Sequence, residues 1–497
     1  MKKYFYTIFL ALTLLFSVGC SEALPAVTSA PETTAAPTPN CSHADSDSDG
    51  FCDVCTLSVT VTVDLYAIND LHGKLLDNSQ QPGIDELTAY LKTVRTSDDY
   101  AVFLSSGDMW QGTSESNLTR GRIITDWMNS LGFVSMTIGN HEFDWGEDAI
   151  EENLELADFP FLAINIYDRA TDTRVDYCTP SVTVECGEAT IAIIGAIGDC
   201  YSSISGDKVE NVYFKTGNEL NSLIKAESER LRAEGVDFII LSIHDGSADA
   251  SLSVEHVDLV FEGHTHKSYS KSDAHCVYHL QGGGDNDGIT HAEAVINFVT
   301  GDSTVTTAEV VPAKTYATYS SDSLVGSLME KYASEVEKAN EVLGINSVYR
   351  TGDWLRALVA RLYFEEGFKE WGEKYDIVLG GGYISVRAPY NLASGEVRYS
   401  DLQSLFPFDN RLDLCTIKGK DLKSKFIYTS NSNYFVFYGD YGQSVRYSID
   451  DNATYYVVVD SYTSSYAPNR LTVVASLADD LFARDLLAEY VKSGGME

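Results

Sequence analysis

Five polar clusters in the first half of the chain each follow directly on a short apolar run, and between them they carry side chains of the types that can hold divalent cations. Leu65–Ile68 leads to Asn69-Asp70-Leu71-His72-Gly73, and Ala101–Leu104 leads to Ser105-Ser106-Gly107-Asp108. Val134–Ile138 is followed by Gly139-Asn140-His141-Glu142-Phe143-Asp144, Phe238–Ile243 by His244-Asp245-Gly246, and Val257–Phe261 by Glu262-Gly263-His264-Thr265-His266. Aspartate, histidine and asparagine without cysteine suit zinc, manganese, iron or cobalt, and they argue against a redox or iron–sulfur site. The donors suffice for two ions bridged by one carboxylate, the arrangement that promotes in-line phosphoryl displacement. Taken alone, Asp108 could cap a turn and His244 could be a satisfied core histidine. Five glycine-flanked clusters in the same position relative to their runs form the pattern of a site.

The clusters converge only if the runs are strands of one layered body, because ligands of open α/β sheets sit beyond the carboxyl ends of the strands. From Leu57 to Pro312, Val- and Ile-rich runs alternate with helical patterns at Ile84–Arg95, Arg122–Leu131 and Asn218–Ala233, which predicts an α/β fold. Ser323–Leu343 reads as one longer amphipathic helix connecting two domains. A second, smaller α/β region follows, with strands at Ile377–Leu379, Leu412–Ile417 and Tyr455–Val459. The expected organisation is a signal at 1–20, a flexible linker at 21–40 and a Cys/Asp-rich segment at 41–56. A first domain at 57–312, a linker with the connecting helix at 313–346 and a second domain at 347–497 complete it.

A chain of 497 residues is too long for one ordinary core. Its formal charge of -38, from 73 acidic against 35 basic residues, argues against a nucleic-acid polymer or an anionic lipid surface as the main partner. An anionic small substrate must therefore be held by local positive charge, which bound ions would supply. Lys2, Lys3 and the apolar stretch Tyr4–Val18 read as an export signal. Ser17-Val18-Gly19-Cys20 resembles a bacterial lipoprotein cleavage site, with Ser17 where an aliphatic residue is usual, and implies a lipid anchor on Cys20 as the one attachment to a membrane. The alternative is an ordinary cleaved signal. Residues 21–40, rich in Pro, Ala, Thr and Ser, suit a tether.

In the segment 41–55, Asp45, Asp47, Asp49 and Gly50 match the start of a calcium loop, although Thr56 stands where a bidentate glutamate is needed. Cys41, His43, Cys52 and Cys55 would instead hold a structural zinc, and a solvated acidic spacer is the third reading. Of nine cysteines, Cys178 and Cys186 could pair across a hairpin, while Cys200, Cys276 and Cys415 read as buried small apolar residues.

Asp70-Leu71-His72, Gly107-Asp108, Gly139-Asn140-His141-Glu142-Phe143-Asp144, His244 and Gly263-His264-Thr265-His266 resemble the signature of calcineurin-like metallophosphoesterases. With a second domain behind it, the chain is similar to the bacterial 5'-nucleotidase and UDP-sugar hydrolase family. The resemblance implies a four-layer α/β-β/α sandwich followed by a smaller α/β C-terminal domain. It implies that Asp70, His72, Asp108 and His266 hold one ion, that Asp108, Asn140, His244 and His264 hold the other, and that His141 and Asp144 form the catalytic dyad. In the C-terminal part, Arg387, Phe408, Asn410 and Tyr462 fall where the family binds substrate, the two aromatics clamping a base. Three departures stand out: Tyr383–Val386 separates the glycine run Gly380-Gly381-Gly382 from Arg387, only Arg350 stands near the family's further arginines, and Ser464-Ser465-Tyr466 replaces a Gly-Gly-Asp.

The implied activity is an extracellular 5'-nucleotidase-type phosphohydrolase that uses a metal-activated hydroxide. Cyclic 2',3'-nucleotides, nucleotide sugars and generic phosphomonoesters are the alternative substrates. A surface binding protein with a vestigial metal site is the alternative of another class.

Overall fold

The apolar runs of the first half form two six-stranded sheets. Edge to edge, the first consists of Asp302–Pro312, Gly288–Asn297, Thr60–Ile68, Val102–Ser105, Ser135–Thr137 and Phe161–Leu162. Its last four strands are parallel, and a long antiparallel hairpin covers the other edge. The second sheet runs Ser268–Ser272, Tyr278–Gly282, Leu259–Glu262, Phe238–His244, Ala189–Ile197 and Ser181–Cys186, again parallel in the middle and antiparallel at both edges. The computed structural model describes residues 44–55, 57–77, 83–245, 256–387, 389–427, 435–439, 449–466, 470–477 and 482–497. The export signal with Cys20, the linker 21–40, and Cys41, His43 and Thr56 lie outside the described residues.

Side chains alternate across a strand, so each sheet must be covered twice. Val63, Leu65, Ala67, Val102 and Leu104 of the first sheet face Ile191, Ile193, Phe238, Ile240 and Phe261 of the second. The intervening residues Tyr66, Ile68 and Phe103 point outward under the helices Asp85–Ser97 and Arg122–Leu131, whose Leu87, Leu91, Ile123 and Trp127 are fully buried. On the far side Ala192, Ile194, Ile239 and Leu241 pack under Leu220, Ile224 and Leu231 of the helix Gly217–Ala233. The result is the implied helix–sheet–sheet–helix sandwich. Each such Leu, Ile or Phe removed from water contributes about 1.5–3 kcal/mol.

The last third builds a five-stranded sheet in the order Phe435–Tyr438, Ile377–Tyr383, Thr454–Asp460, Leu412–Lys418 and Thr472–Ser476. One of its faces is covered by the helix Gly352–Trp371, through Leu355, Val359 and Tyr363.

Three expectations are corrected. Ser323–Leu343 is two helices, Ser323–Lys331 and Ala333–Ala339, broken at Tyr332. The Tyr332 ring is buried and its hydroxyl donates to Asp126 at 2.7 Å, which turns the chain there, while Leu343 already belongs to the strand Val342–Asn346. Cys178 and Cys186 are free thiols in different cores, and Cys276 lies exposed on a turn closed by its N–H to the Asp273 carbonyl. Among the described residues no helix is long and apolar enough to cross a membrane.

Candidate active site

All five clusters sit at the carboxyl ends of strands on one rim of the sandwich. Backbone bonds knit neighbouring strand ends together: the Asp70 N–H donates to the Gly107 carbonyl at 2.9 Å, and His72 N–H to the Asp108 carbonyl at 3.1 Å. Asp70 (φ 50°), His72 (50°), Asp108 (55°), His264 (78°) and His266 (55°) are all left-handed, a conformation that costs non-glycine residues about 1–3 kcal/mol each and that concentrates at functional sites. Gly139 is required, since a Cβ there would lie 2.3 Å from an Asp108 carboxylate oxygen.

The side chains of Asp70, His72 and His266 each place a ligand atom within 4.8 Å of the others, and Asp70, Asp108 and His244 do the same. His72 Nδ1 donates to the Gln111 carbonyl at 2.8 Å, so its Nε2 carries a lone pair, directed at His266 Nε2 3.0 Å away. His244 Nδ1 likewise donates to the Ser106 carbonyl at 2.8 Å, and its Nε2 faces Asp108 Oδ2 at 3.1 Å and Asn140 Oδ1 at 3.2 Å. Ring nitrogens and carboxylate oxygens that converge at these distances are held together by a shared proton or a cation, and aspartate, histidine and asparagine are donors that divalent ions take. The donor set therefore fits divalent ions. The same field acts on the imidazoles. Burial pulls His244 down, but Asp108 and Asp70 outweigh it and lift it to about 10. Burial together with the His141 and His266 rings pushes His72 down to about 4. Burial would raise Asp108, yet His244 and His141 hold it well below the usual carboxylate range.

His141 opens a short 3-10 turn, His141–Phe143, which also presents Asp144. Its Nδ1 meets Asp144 Oδ2 at 2.8 Å and its backbone N–H donates to Asp108 Oδ1 at 2.8 Å. Burial opposes a charge on His141, but Asp144 and Asp108 raise it to about 9.

Arg387, Phe408, Asn410 and Tyr462 of the last third line one cavity of about 380 Å³ together with Asp108, Asn140, His141, Asp144, His264 and His266. Phe408 stacks on the His141 ring, centroids 5.8 Å apart and planes 20° apart, with the Arg387 guanidinium 5.1 Å from the Phe408 centroid. Tyr462 does not meet Phe408 ring to ring; it lies against Tyr383, centroids 5.8 Å apart.

Residues 64–268 match the calcineurin-like phosphoesterase family, and residues 357–470 match the 5'-nucleotidase C-terminal domain. The chain belongs to the two-domain 5'-nucleotidase family of calcineurin-like phosphoesterases. It is 26% identical to an apyrase of Tabanus yao over 404 residues, 72% of each chain. It is 31% identical to a probable 5'-nucleotidase of Treponema pallidum (strain Nichols) over 189 residues, 37% of this chain and 31% of that protein. The fold is shared with a 5'-nucleotidase precursor of Thermus thermophilus at a TM-score of 0.66 and 18% identity, covering 87% of this chain and 96% of that one.

In this phosphoesterase several residues near the cavity have roles that only the tertiary structure shows. Glu142 is fully buried and its carboxylate accepts the N–H groups of Asp108 at 2.9 Å, Met109 at 2.8 Å and Gly139 at 2.7 Å, so one side chain ties two of the strand-end loops. Buried Arg484 donates to the carbonyls of Pro407 at 3.2 Å and Phe408 at 3.4 Å and pairs with Asp409, bracing the Phe408 loop from behind. From the first domain Ser203, Ser205 and Lys208 reach the cavity. Their loop docks on the short helix Ser461–Ser465, with Gly206 N–H donating to Ser465 Oγ at 2.9 Å. The run Ala189–Ile197 followed by Gly198-Asp199-Cys200 was the available signal for that loop, a sixth polar cluster after an apolar run.

Proposed function

We propose that this protein hydrolyses phosphate esters of nucleotides with two divalent ions, one held by Asp70, His72, Asp108 and His266, the other by Asp108, Asn140, His244 and His264. The observation that carries the reading is one cavity lined both by Asp108, Asn140, His264 and His266 of this donor set with His141 and by Arg387, Phe408, Asn410 and Tyr462. Ions bound there would neutralise charge on the phosphoryl oxygens and acidify a coordinated water. The chain's own groups do the rest. Asp144 accepts from His141 Nδ1, which fixes the tautomer and leaves Nε2 as the atom that can reach a leaving oxygen. Arg387 offers a planar fork for phosphate oxygens, and Phe408 and Tyr462 offer faces on which a base can stack. His141 would therefore hold the proton that the leaving alcohol needs, while the Glu142 carboxylate keeps Asp108 and Gly139 in register beneath it.

Lys208 on the cavity wall supports a second reading of the substrate, one with a further phosphoryl group such as a nucleoside diphosphate or a nucleotide sugar. The domain limits 57–312 and 347–497, export with lipidation at Cys20, and an accessory ion near the N-terminus belong to the same proposal. Asp45, Asp47 and Asp53 bring ligand atoms within 4.8 Å of one another there, whereas Asp49 accepts the Phe51 N–H.

The test is phosphate release from AMP, UDP-glucose, a cyclic 2',3'-nucleotide and p-nitrophenyl phosphate with manganese or zinc, for wild type and Asp108→Ala. Nucleotide-selective, chelator-sensitive release that Asp108→Ala abolishes is the expected result. Release from the generic ester alone would remove the nucleotide clamp, and no release from any of them would leave the vestigial-site reading standing.

A further inference from the structure

We infer that Cys200 supplies a sulfur ligand to the ion position built from Asp108, Asn140, His244 and His264. The inference rests on the two-ion reading and adds a donor chemistry which that reading lacks. Its origin is the topology. Ala189–Ile197 runs parallel to Phe238–His244 with Ile197 directly opposite His244, so the segment after it opens onto the same rim as the five clusters. Gly198 N–H donates to the His244 carbonyl at 3.1 Å, and the Cys200 thiol, three residues past the strand, comes to 3.3 Å from that same oxygen.

Cys200 Sγ, one ring nitrogen of His244 and one of His264 all lie within 4.8 Å of one another. Zinc binds sulfur at about 2.3 Å and imidazole nitrogen at about 2.0–2.1 Å, so small side-chain rotations would bring this set into the sphere of one ion, alongside the oxygen donors, as a site of more than four ligands. Cys200 is 1% exposed and is a free thiol.

On coordination the S–H bond breaks, the proton leaves to solvent and a sulfur–metal bond forms. Thiolate is a soft donor that favours zinc over manganese, so Cys200 sets the metal preference of this position while the Asp70, His72 and His266 position keeps harder ligands.

The experiment uses the full chain with Cys41, Cys52 and Cys55 replaced by serine, titrated with cobalt(II). The expected result is visible ligand-field bands together with a near-ultraviolet sulfur-to-cobalt charge-transfer band, and Cys200→Ser loses the second while keeping the first. In the same variant the preference for zinc over manganese falls by at least the roughly 10- to 100-fold that follows loss of an outer partner of a metal ligand. Ligand-field bands without a charge-transfer band, or a charge-transfer band that survives Cys200→Ser, overturn the inference and leave the two-ion site intact. Absence of any cobalt spectrum overturns both. If Cys200→Ser does not fold, zinc absorption fine structure on the unsubstituted Cys200 protein decides, with a sulfur scatterer at about 2.3 Å expected and only nitrogen and oxygen neighbours contradicting it.

Discussion

Replacing Arg484 with methionine tests how the Phe408 loop is held. The guanidinium is 5% exposed and makes an ion pair with Asp409, which is 17% exposed. It also donates to the Pro407 and Phe408 carbonyls and to the Tyr399 hydroxyl, at 3.2, 3.4 and 3.2 Å. Methionine fills most of the volume but strands the carboxylate and both carbonyls. Removing one partner of a buried pair costs about 3–5 kcal/mol, and because Asp409 retains some contact with water the low end, about 3 kcal/mol, is expected. In a unit of this size that lowers the melting temperature by about 6–12 °C, read by near-ultraviolet circular dichroism. Adding Asp409→Asn removes the stranded charge, so the double variant should recover part of the loss and the double-mutant cycle should be non-additive by at least about 1 kcal/mol. With Phe408 no longer braced, KM for AMP should rise while turnover of p-nitrophenyl phosphate stays near wild type. A cost under about 1 kcal/mol, or strict additivity, would show that Arg484 does not hold the loop.

Glu142→Gln turns one of the acceptors for three backbone N–H groups into a donor; a destabilisation of about 2–4 kcal/mol and weaker metal binding are expected by denaturant titration and calorimetry, and an unchanged midpoint would contradict the role. Buried Asp460 is lifted by its burial, against the Thr463 N–H bond, to about 6. The folded state therefore holds the proton more tightly than the unfolded one: a contribution of about 3 kcal/mol is complete below about pH 4 and is lost as pH rises through about 6. Asp460→Asn should flatten that part of the stability–pH curve, and a curve of unchanged slope would reject it. Chelation should lower the melting temperature of the wild type by far more than that of Asp108→Ala, since an ion held at 100 times its dissociation constant adds about 2.7 kcal/mol.

The order and chemistry of the candidate site were legible in the chain because each donor cluster abuts its strand, and strand ends can be read from short Val- and Ile-rich runs. Asp70, His72, Asp108, Asn140, His244, His264 and His266 all fall on one rim for that local reason. The α/β class was legible from the same alternation. The break at Tyr332 was not, because the periodicity of 323–343 is helical throughout and only the tertiary bond to Asp126 interrupts it. The exposure of Cys276 was equally hidden, since a turn closed by Asp273 decides it.

The sequence by itself determined which atoms are available for metal and phosphate chemistry, since composition and local pattern are properties of the chain. Only the tertiary structure decided which of them meet. The registry of Ile197 against His244 brings Cys200 to the histidines, and the docking of Ser205–Lys208 on Ser461–Ser465 closes the cavity from the first domain. Arg484 lies 76 residues from Phe408 and braces it all the same. Such long-range pairings follow from sheet order and packing, which no window of neighbouring residues encodes.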